Sequence, residues 1–161
     1  MGRAIACANQ KGGVGKTTTV VNLATHLALA GDSVLVVDLD PQGNATSGFG
    51  VERNGQAASV YDAVIDGVPL LGLAVPTGIA GLSLIASSVA LAGAEVVLAG
   101  MDQRERRLWR LLEPTRSRFD VILIDCPPSL GLLTVNALTA VDSVLIPIQA
   151  EYYALEGVSQ L

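Results

Sequence analysis

The sequence predicts an α/β fold, with a doubly wound, mainly parallel sheet and helices on both of its faces. Three observations support this prediction: short apolar runs rich in Val and Ile recur along the chain, helical patterns separate them, and 50% of the 161 residues are hydrophobic. Uninterrupted apolar runs are typical of strands that are buried on both faces. A chain of this length can bury a sufficient core without disulfides, so we expect residues 1–161 to form a single domain.

The strands are expected at the apolar runs, which span residues 3–8, 33–38, 81–86, 120–125 and 143–148. After the last run, residues 151–161 begin a helical pattern that stops without a cap or a return strand. We therefore expect the last strand to lie at an exposed edge, or more protein normally to follow, as in a C-terminally truncated domain.

Two helices are predicted by the spacing of apolar residues. Positions i, i+3, i+4, i+7 and i+8 from Val20 to Ala28 form one apolar face, and Gly31 stands where such a helix ends. A second helix is expected to begin near Asp102, because Glu105 follows at the spacing of a capping box. That helix would bury Leu108, Leu111 and Leu112.

Residues 67–94 contain no charged residue and are long enough to span a bilayer. Pro69, Pro76 and several glycines interrupt this stretch, however. Because such residues break a continuous helix, the stretch predicts a loop, a buried strand, a loop and the start of a helix. No signal sequence precedes the first strand, and we expect a cytoplasmic protein with no membrane partner.

Composition excludes several kinds of site. A net charge of -5 argues against a protein that coats nucleic acid with its whole surface. Cys7 and Cys126 lie far apart without metal-ligand spacing, which favours free thiols over a disulfide or a zinc site. His26 is the only histidine and is expected at the surface, so a catalytic triad or a histidine metal cluster is excluded.

Positive charge is concentrated in one part of the chain. Of the 10 Lys and Arg residues, those between positions 104 and 118 are Arg104, Arg106, Arg107, Arg110, Arg116 and Arg118. They could form a local contact with nucleic acid or a solvated helix face that neighbouring carboxylates partly neutralise. We favour the solvated face.

The sequence KGGVGKTT at residues 11–18 follows the first strand and opens the first helix. Glycines let backbone N–H groups surround a polyphosphate, and the positive end of the helix faces the same anion. Lys16 can reach the β and γ phosphates, and the Thr17 hydroxyl can bind Mg²⁺. The loop departs from the general GxxxxGK[ST] pattern because Gln10 stands where that pattern has glycine.

The additional lysine of this loop, Lys11, has two possible roles. It could contact the same nucleotide as Lys16, or it could reach the nucleotide of a partner molecule and stabilise transition-state charge as arginine fingers do. The residues alone leave both possibilities open.

Carboxylates end two of the predicted strands, at the sheet edge where α/β folds bind ligands. Asp40 closes the run Asp38-Leu39-Asp40 and could orient an attacking water or hold Mg²⁺, whereas strand-end capping is the simpler role for Asp38. Gly43 and Asn44 follow as a flexible segment that could rearrange with the γ-phosphate. Asp125, after four apolar residues, has the position of the Mg²⁺-binding carboxylate of P-loop NTPases.

The deviant loop KGGVGKTT resembles that of the ParA/MinD family of dimerising ATPases, which share the P-loop NTPase fold. The wider run from Asn9 to Gly50, with DCPPS at 125–129 and QAEYYALEG at 149–157, is similar to partition ATPases of the ParA/Soj type. The resemblance implies ATP and Mg²⁺ as cofactors, a homodimer with ATP sandwiched between its subunits, a ParB-like partner and non-specific nucleoid DNA.

The resemblance also implies roles for individual residues. Catalytic roles fall to Lys11, Lys16 and Asp40, with Lys11 contacting the partner's ATP and Asp40 activating water in a first switch. The segment 126–129 corresponds to a second switch. Nucleotide binding is assigned to Lys11, Gly12, Gly13, Val14, Gly15, Lys16, Thr17 and Thr18, and metal binding to Thr17, Asp40 and Asp125.

Three alternatives remain open at this point. A MinD-like membrane-cycling ATPase would need an amphipathic C-terminal helix, which the sequence does not supply. An electron-transfer protein like the nitrogenase iron protein would need cysteines in cluster-binding loops. A truncated chain could also fold without being active.

Overall fold

The computed structural model describes residues 2–53 and 56–150. Its strands are β1 (Arg3–Cys7), β2 (Val34–Asp38), β3 (Val75–Pro76), β4 (Leu82–Ile85), β5 (Val121–Asp125) and β6 (Ser143–Leu145). Its α-helices are α1 (Lys16–Leu29), α2 (Asn44–Gly48), α3 (Val60–Asp66), α4 (Leu91–Ala99), α5 (Arg107–Leu112) and α6 (Leu132–Ala140). The helical pattern expected at 151–161 lies outside the described residues.

The strands form one sheet in the order β3-β4-β2-β5-β1-β6, and every neighbouring pair except β3–β4 is parallel. At the carboxyl end of β5, Asp125 pairs with Asp38 of β2 on one side and with Cys7 of β1 on the other. This register brings the ends of three central strands together. The predicted α/β architecture is confirmed.

Apolar side chains pack against both faces of the sheet. Along β2, Val34 and Val36 face the core beneath α1, whereas Leu35 and Val37 face the core beneath α3, α4, α5 and α6. Strands covered on both sides consist of continuous apolar residues, which explains why the sequence showed them as uninterrupted runs. Gly31, with φ +105°, turns the chain after α1 as predicted.

The two cysteines are both buried and free, as expected. Cys7 belongs to the core under α1, whereas Cys126 belongs to the core on the opposite face of the sheet. Burial raises the pKa of the Cys7 thiol to about 12 and that of the Cys126 thiol further. Neither side chain has the lowered pKa that a reactive thiolate needs.

The stretch 67–94 contains β3, β4 and the start of α4, separated by loops. No helix in the described ranges is both long and apolar enough to cross a membrane. The antiparallel β3 was not predicted, because its two residues include Pro76 and proline is normally confined to sheet edges. β6 lies at the other edge of the described sheet, as expected, but it ends at Leu145 rather than at residue 148.

The predicted start of the second helix was wrong. α5 begins at Arg107 rather than near Asp102, and Arg106 at its N-cap provides no side-chain cap. Gln103 has φ +51°, a left-handed conformation that interrupts a right-handed helix. Leu108 and Leu112 are fully buried as predicted, whereas Leu111 is only partly buried.

The basic segment is less solvated than predicted. Arg116 is 6% exposed, and its guanidinium donates to an Asp142 carboxylate oxygen at 2.6 Å and to the Ala140 carbonyl at 2.8 Å. Arg107 donates to the carbonyls of Val64 and Ile65 at the end of α3. These two arginines stabilise the fold, so the interpretation as a solvated face was wrong for them.

Candidate functional site

A cavity of about 430 Å³ lies at the carboxyl ends of β1, β2 and β5. This is the position at which α/β sheets bind their ligands. Its lining consists of Gly12, Gly13, Gly15, Lys16, Thr17, Thr18, Asp40, Gln42, Asn44 and Pro128. Most of the residues predicted to bind phosphate therefore border one space together with Asp40.

The loop before α1 is open on the side that faces this cavity. Gly13 and Gly15 have φ values of +72° and +91°, which residues other than glycine rarely adopt. A Cβ atom added at Gly12, Gly13 or Gly15 would meet no atom within 4 Å. Gly15 is the N-cap of α1 and no side chain caps the helix, so the first amides of α1 remain available to an anion.

Lys16 is buried against this loop, with 7% of its surface exposed. Its ammonium Nζ donates to the Lys11 carbonyl at 3.0 Å. A buried cation beside uncapped helix amides creates a site of positive potential, which an anionic ligand would complement.

Lys11, unlike Lys16, does not border the large cavity. Its side chain is exposed, and it borders a small second cavity together with Asn9, Val14, Ile148 and Gln149. The structure thus separates the two lysines of the loop, which the sequence could not do.

Asp125 is fully buried, and its Oδ2 accepts a hydrogen bond from the Thr17 hydroxyl at 2.7 Å. Its Oδ1 has no hydrogen-bond partner among the described residues. Desolvation, together with repulsion from Asp38 and Asp40, raises the pKa of Asp125 from 3.8 to about 7, although the Thr17 bond and Lys16 oppose the rise. A buried carboxylate oxygen without a partner beside a hydroxyl suits a divalent cation.

No group of three His, Cys, Asp or Glu side chains within residues 2–53 and 56–150 could hold a metal alone. Mg²⁺ often uses only one or two protein carboxylates and completes its shell with phosphate and water oxygens. The Thr17–Asp125 pair fits that pattern, because Thr17 lines the cavity and its hydroxyl is bonded to the buried Asp125 carboxylate.

Asp38 caps the strand end, as predicted. The buried carboxylate accepts hydrogen bonds from the Asp40 N–H at 3.1 Å, the Thr46 N–H at 2.8 Å and the Thr46 hydroxyl at 2.7 Å. Burial raises the pKa of Asp38 to about 6, although these hydrogen bonds oppose the rise. Asp38 thereby ties β2 to α2 and fixes the loop that carries Asp40.

Asp40 borders the large cavity and is 7% exposed. Its Oδ1 accepts a hydrogen bond from the Gln42 N–H at 2.9 Å. Gly43, which the sequence suggested as flexible, has φ +65° and forms the N-cap of α2. The side chain of Arg53 covers Gly43 and donates to the Pro41 carbonyl, so a larger residue at position 43 would collide with it.

Sequence reasoning missed several residues of this region. Gln42 lines the cavity and Arg53 donates to the Pro41 carbonyl, whereas Asn44, which was expected only as part of a flexible segment, also lines the cavity. Asn9, two residues before Lys11, accepts from the Lys11 N–H at 3.0 Å. That spacing is typical of an Asx-turn and could have identified Asn9. For Arg53 the sequence carries no such signal, because only the fold brings it to Gly43.

Two curated proteins are similar to this chain over its whole length. The Bacillus subtilis sporulation initiation inhibitor protein Soj is 56% identical over 100% of this chain and 64% of its own length. The Myxococcus xanthus chromosome partitioning protein ParA is 53% identical over 100% of this chain and 57% of its own length. The chain therefore spans less than two thirds of these curated relatives.

Solved structures share the fold closely. Two crystal structures of Mycobacterium smegmatis cobyrinic acid a,c-diamide synthase, one with ADP and magnesium and one with an ATP analogue and magnesium, match with TM-scores of 0.94 and 0.93. Each is 44% identical, and the match covers 99% of this chain and 65% of theirs.

The model of the AAA_31 family, described as an AAA domain, matches residues 2–161. Together with the Soj and ParA relatives, this match confirms the resemblance that the loop at 11–18 indicated. The chain belongs to the AAA_31 family of AAA domains and is a P-loop protein of the ParA/MinD type.

Proposed function

We propose that this chain is the N-terminal portion of a Mg²⁺-dependent ATPase that acts in chromosome or plasmid partitioning. The observation that carries the proposal is the open start of α1, where Lys16 and Thr17 line one cavity, no side chain caps the helix, and the Thr17 hydroxyl donates to the buried Asp125. The Myxococcus xanthus relative named for chromosome partitioning is more similar in sequence, at 53%, than the diamide synthase at 44%.

The loop and the start of α1 bind the polyphosphate of ATP in this proposal. Lys16 moves from the Lys11 carbonyl to the β and γ phosphates, because an anion offers its ammonium a stronger partner than a neutral carbonyl does. Backbone N–H groups surround the phosphates at Gly12, Gly13, Val14, Gly15, Lys16, Thr17 and Thr18.

The Thr17 hydroxyl and the ionised Asp125 carboxylate would hold the divalent cation. Asp40, which lines the same cavity as Thr17, would contribute through water. When bound, Mg²⁺ neutralises charge on the phosphate oxygens.

Asp40 orients the water that attacks the γ-phosphate. Its carboxylate lines the cavity, and its position is fixed by the Gln42 N–H and by Asp38 behind the loop. Asp40→Ala should therefore bind ATP as the wild type does and fail to release phosphate. Normal phosphate release by Asp40→Ala would contradict this role, and Asp62→Ala, on α3, is the matched control.

Lys11 acts across a dimer in this proposal. The lysine is exposed and does not line the cavity of its own chain, which favours a role toward a neighbouring subunit's nucleotide. We expect ATP-dependent dimers, seen by analytical ultracentrifugation, that Lys11→Ala does not form. ATP-dependent dimers of Lys11→Ala would contradict the role across the interface.

The remaining partners follow from the resemblance and the relatives' names. We propose that the ATP-bound dimer associates with non-specific nucleoid DNA and that a ParB-like protein stimulates hydrolysis. The test is co-sedimentation with DNA and with liposomes in the presence of ATP and Mg²⁺. Binding to DNA alone supports this proposal, whereas binding to liposomes alone would favour the MinD-like alternative.

A further inference from the structure

Residues 145–149, which comprise the end of β6 and the segment after it, lie along the chain between Ala8 and Gly13 that leads from β1 into the phosphate loop, and three hydrogen bonds join the two. The Ala8 N–H donates to the Leu145 carbonyl at 3.1 Å. The Asn9 amide Nδ2 donates to the Pro147 carbonyl at 2.9 Å, and the Gln149 amide Nε2 donates to the Gly13 carbonyl at 3.2 Å. We call residues 145–149 the strap.

Asn9 joins the strap to the loop with both ends of its side-chain amide. While its Nδ2 donates to Pro147, its Oδ1 accepts from the Lys11 N–H at 3.0 Å. The residue is 5% exposed, and a buried amide with both groups satisfied has little freedom to reorient. The backbone of Lys11 is therefore fixed relative to the edge of the sheet.

Gln149 contacts the loop at a second point, the carbonyl of Gly13. The described peptide bonds are all trans, so the carbonyl of Gly13 and the N–H of Val14 point in opposite directions. Gln149 holds that carbonyl on the strap side, where Asn9, Lys11, Val14, Ile148 and Gln149 border the small cavity. The Val14 N–H is thereby directed away from Gln149 and the strap.

We propose that Asn9 and Gln149 are positioning residues, which hold the phosphate loop from behind in the conformation that binds a nucleoside triphosphate. This inference rests on the proposed function for its ligand. Neither side chain needs to touch the nucleotide, because each acts on a backbone group of the loop. Nucleotide affinity should thus depend on contacts between the loop and the strap.

The test measures binding of Mg²⁺ and AMPPNP to the wild-type chain and its variants by isothermal titration calorimetry. Asn9→Ala removes both hydrogen bonds and should weaken binding about tenfold. Asn9→Ser keeps a short acceptor for the Lys11 N–H but cannot reach Pro147, so a smaller loss is expected. Gln149→Ala should also give a smaller loss, because its side chain is exposed.

Asn136 supplies a matched control. It is also a buried asparagine, accepting from the Leu108 N–H at 3.1 Å and donating to the Arg104 carbonyl at 2.6 Å, but it lies on α6 away from the loop. Asn136→Ala should lower thermal stability without changing AMPPNP affinity by more than about twofold. Wild-type affinity in Asn9→Ala, or an equal loss in Asn136→Ala, would overturn the proposal.

Amide hydrogen exchange of the nucleotide-free protein tests the strap independently of ATP binding. Asn9→Ala should accelerate exchange at Lys11 at least tenfold while leaving amides of β2 unchanged. Unchanged exchange at Lys11 would overturn the strap. If the wild type failed to bind AMPPNP while exchange responded as expected, the strap would stand and the proposed ATPase function would fail.

Discussion

The helices α1 and α3 differ in how their first backbone N–H groups are capped. At α3, the Ser59 hydroxyl accepts from the Tyr61 N–H at 3.2 Å and the Asp62 carboxylate accepts from the Ser59 N–H at 2.7 Å, forming a capping box. At α1, Gly15 provides no cap and the first turn contains no acidic residue.

The capped start of α3 stabilises the fold, whereas the uncapped start of α1 is suited to binding a ligand. The four N–H groups that open any helix need partners, and α3 obtains some of them from its own side chains. α1 presents them to a cavity beside Lys16 instead, which favours an external anion. The open helix start and the closed one can be tested separately.

The largest expected effect is at the open start. Lys16→Ala removes the buried ammonium and should abolish measurable binding of Mg²⁺–ATP, a loss of at least about 100-fold. Calorimetric titration measures this loss, and circular dichroism confirms that the variant is folded. Binding within threefold of the wild type would remove Lys16 from the site.

The second largest effect is expected on the pH dependence of stability and involves Asp125, which is bonded to Thr17 in the first turn of α1. Folding raises the pKa of Asp125 from 3.8 to about 7. Between these two pH values the native state therefore binds a proton that the unfolded state has released. The stability that this proton contributes is fully present below about pH 4 and is lost as the pH rises through 7.

Asp125→Asn cannot ionise, so it should exceed the wild type in free energy of unfolding above pH 7 by about 1–3 kcal/mol. Urea denaturation without nucleotide at pH 5 and pH 8 measures this difference. The variant should also lose Mg²⁺-dependent nucleotide binding. Equal pH dependence of stability in the two proteins would show that Asp125 is ionised in the folded state.

A smaller effect is expected at the closed helix start. Ser59→Ala removes the hydroxyl cap and should lower the free energy of unfolding by about 1 kcal/mol. Nucleotide affinity should not change, because Ser59 does not line the cavity. A loss of affinity comparable to that of Lys16→Ala would break the distinction between the two helix starts.

The smallest overall effect is expected at Lys11. Because Lys11 does not line the large cavity, Lys11→Ala should change the affinity of the dilute chain for Mg²⁺–AMPPNP by less than about twofold. Titration at low protein concentration, where dimers do not form, measures this. A large loss under those conditions would indicate that both lysines serve one nucleotide.

Much of the fold could be predicted because its signals are local. Strands buried on both faces consist of apolar runs, and Gly31 marks the end of α1. The errors arose where local signals were weak or misleading. β3 has two residues, one of them proline, and the apparent capping box at Asp102 and Glu105 failed because Gln103 adopts a positive φ.

In the candidate site, too, residues with local sequence signals could be predicted and residues without them could not. Most of the loop at 11–18, but not Lys11 or Val14, could be placed at the cavity with Asp40 from the sequence, because loops and carboxylates at the ends of parallel strands meet at one sheet edge. The bond between Asn9 and Pro147 could not, since it joins residues 138 positions apart. The burial of Arg116 was likewise invisible, because its partner Asp142 lies 26 positions away.

The central claim is that the amides of the loop before α1 bind phosphate. Backbone ¹H–¹⁵N spectra of the chain, recorded during titration with Mg²⁺–AMPPNP, test it most directly. We expect saturable shifts at Gly12, Gly13 and Gly15, with the amides of the closed start at Tyr61 and Asp62 unmoved. Saturation of binding without shifts at the three glycines, or no binding by the wild type, would contradict it.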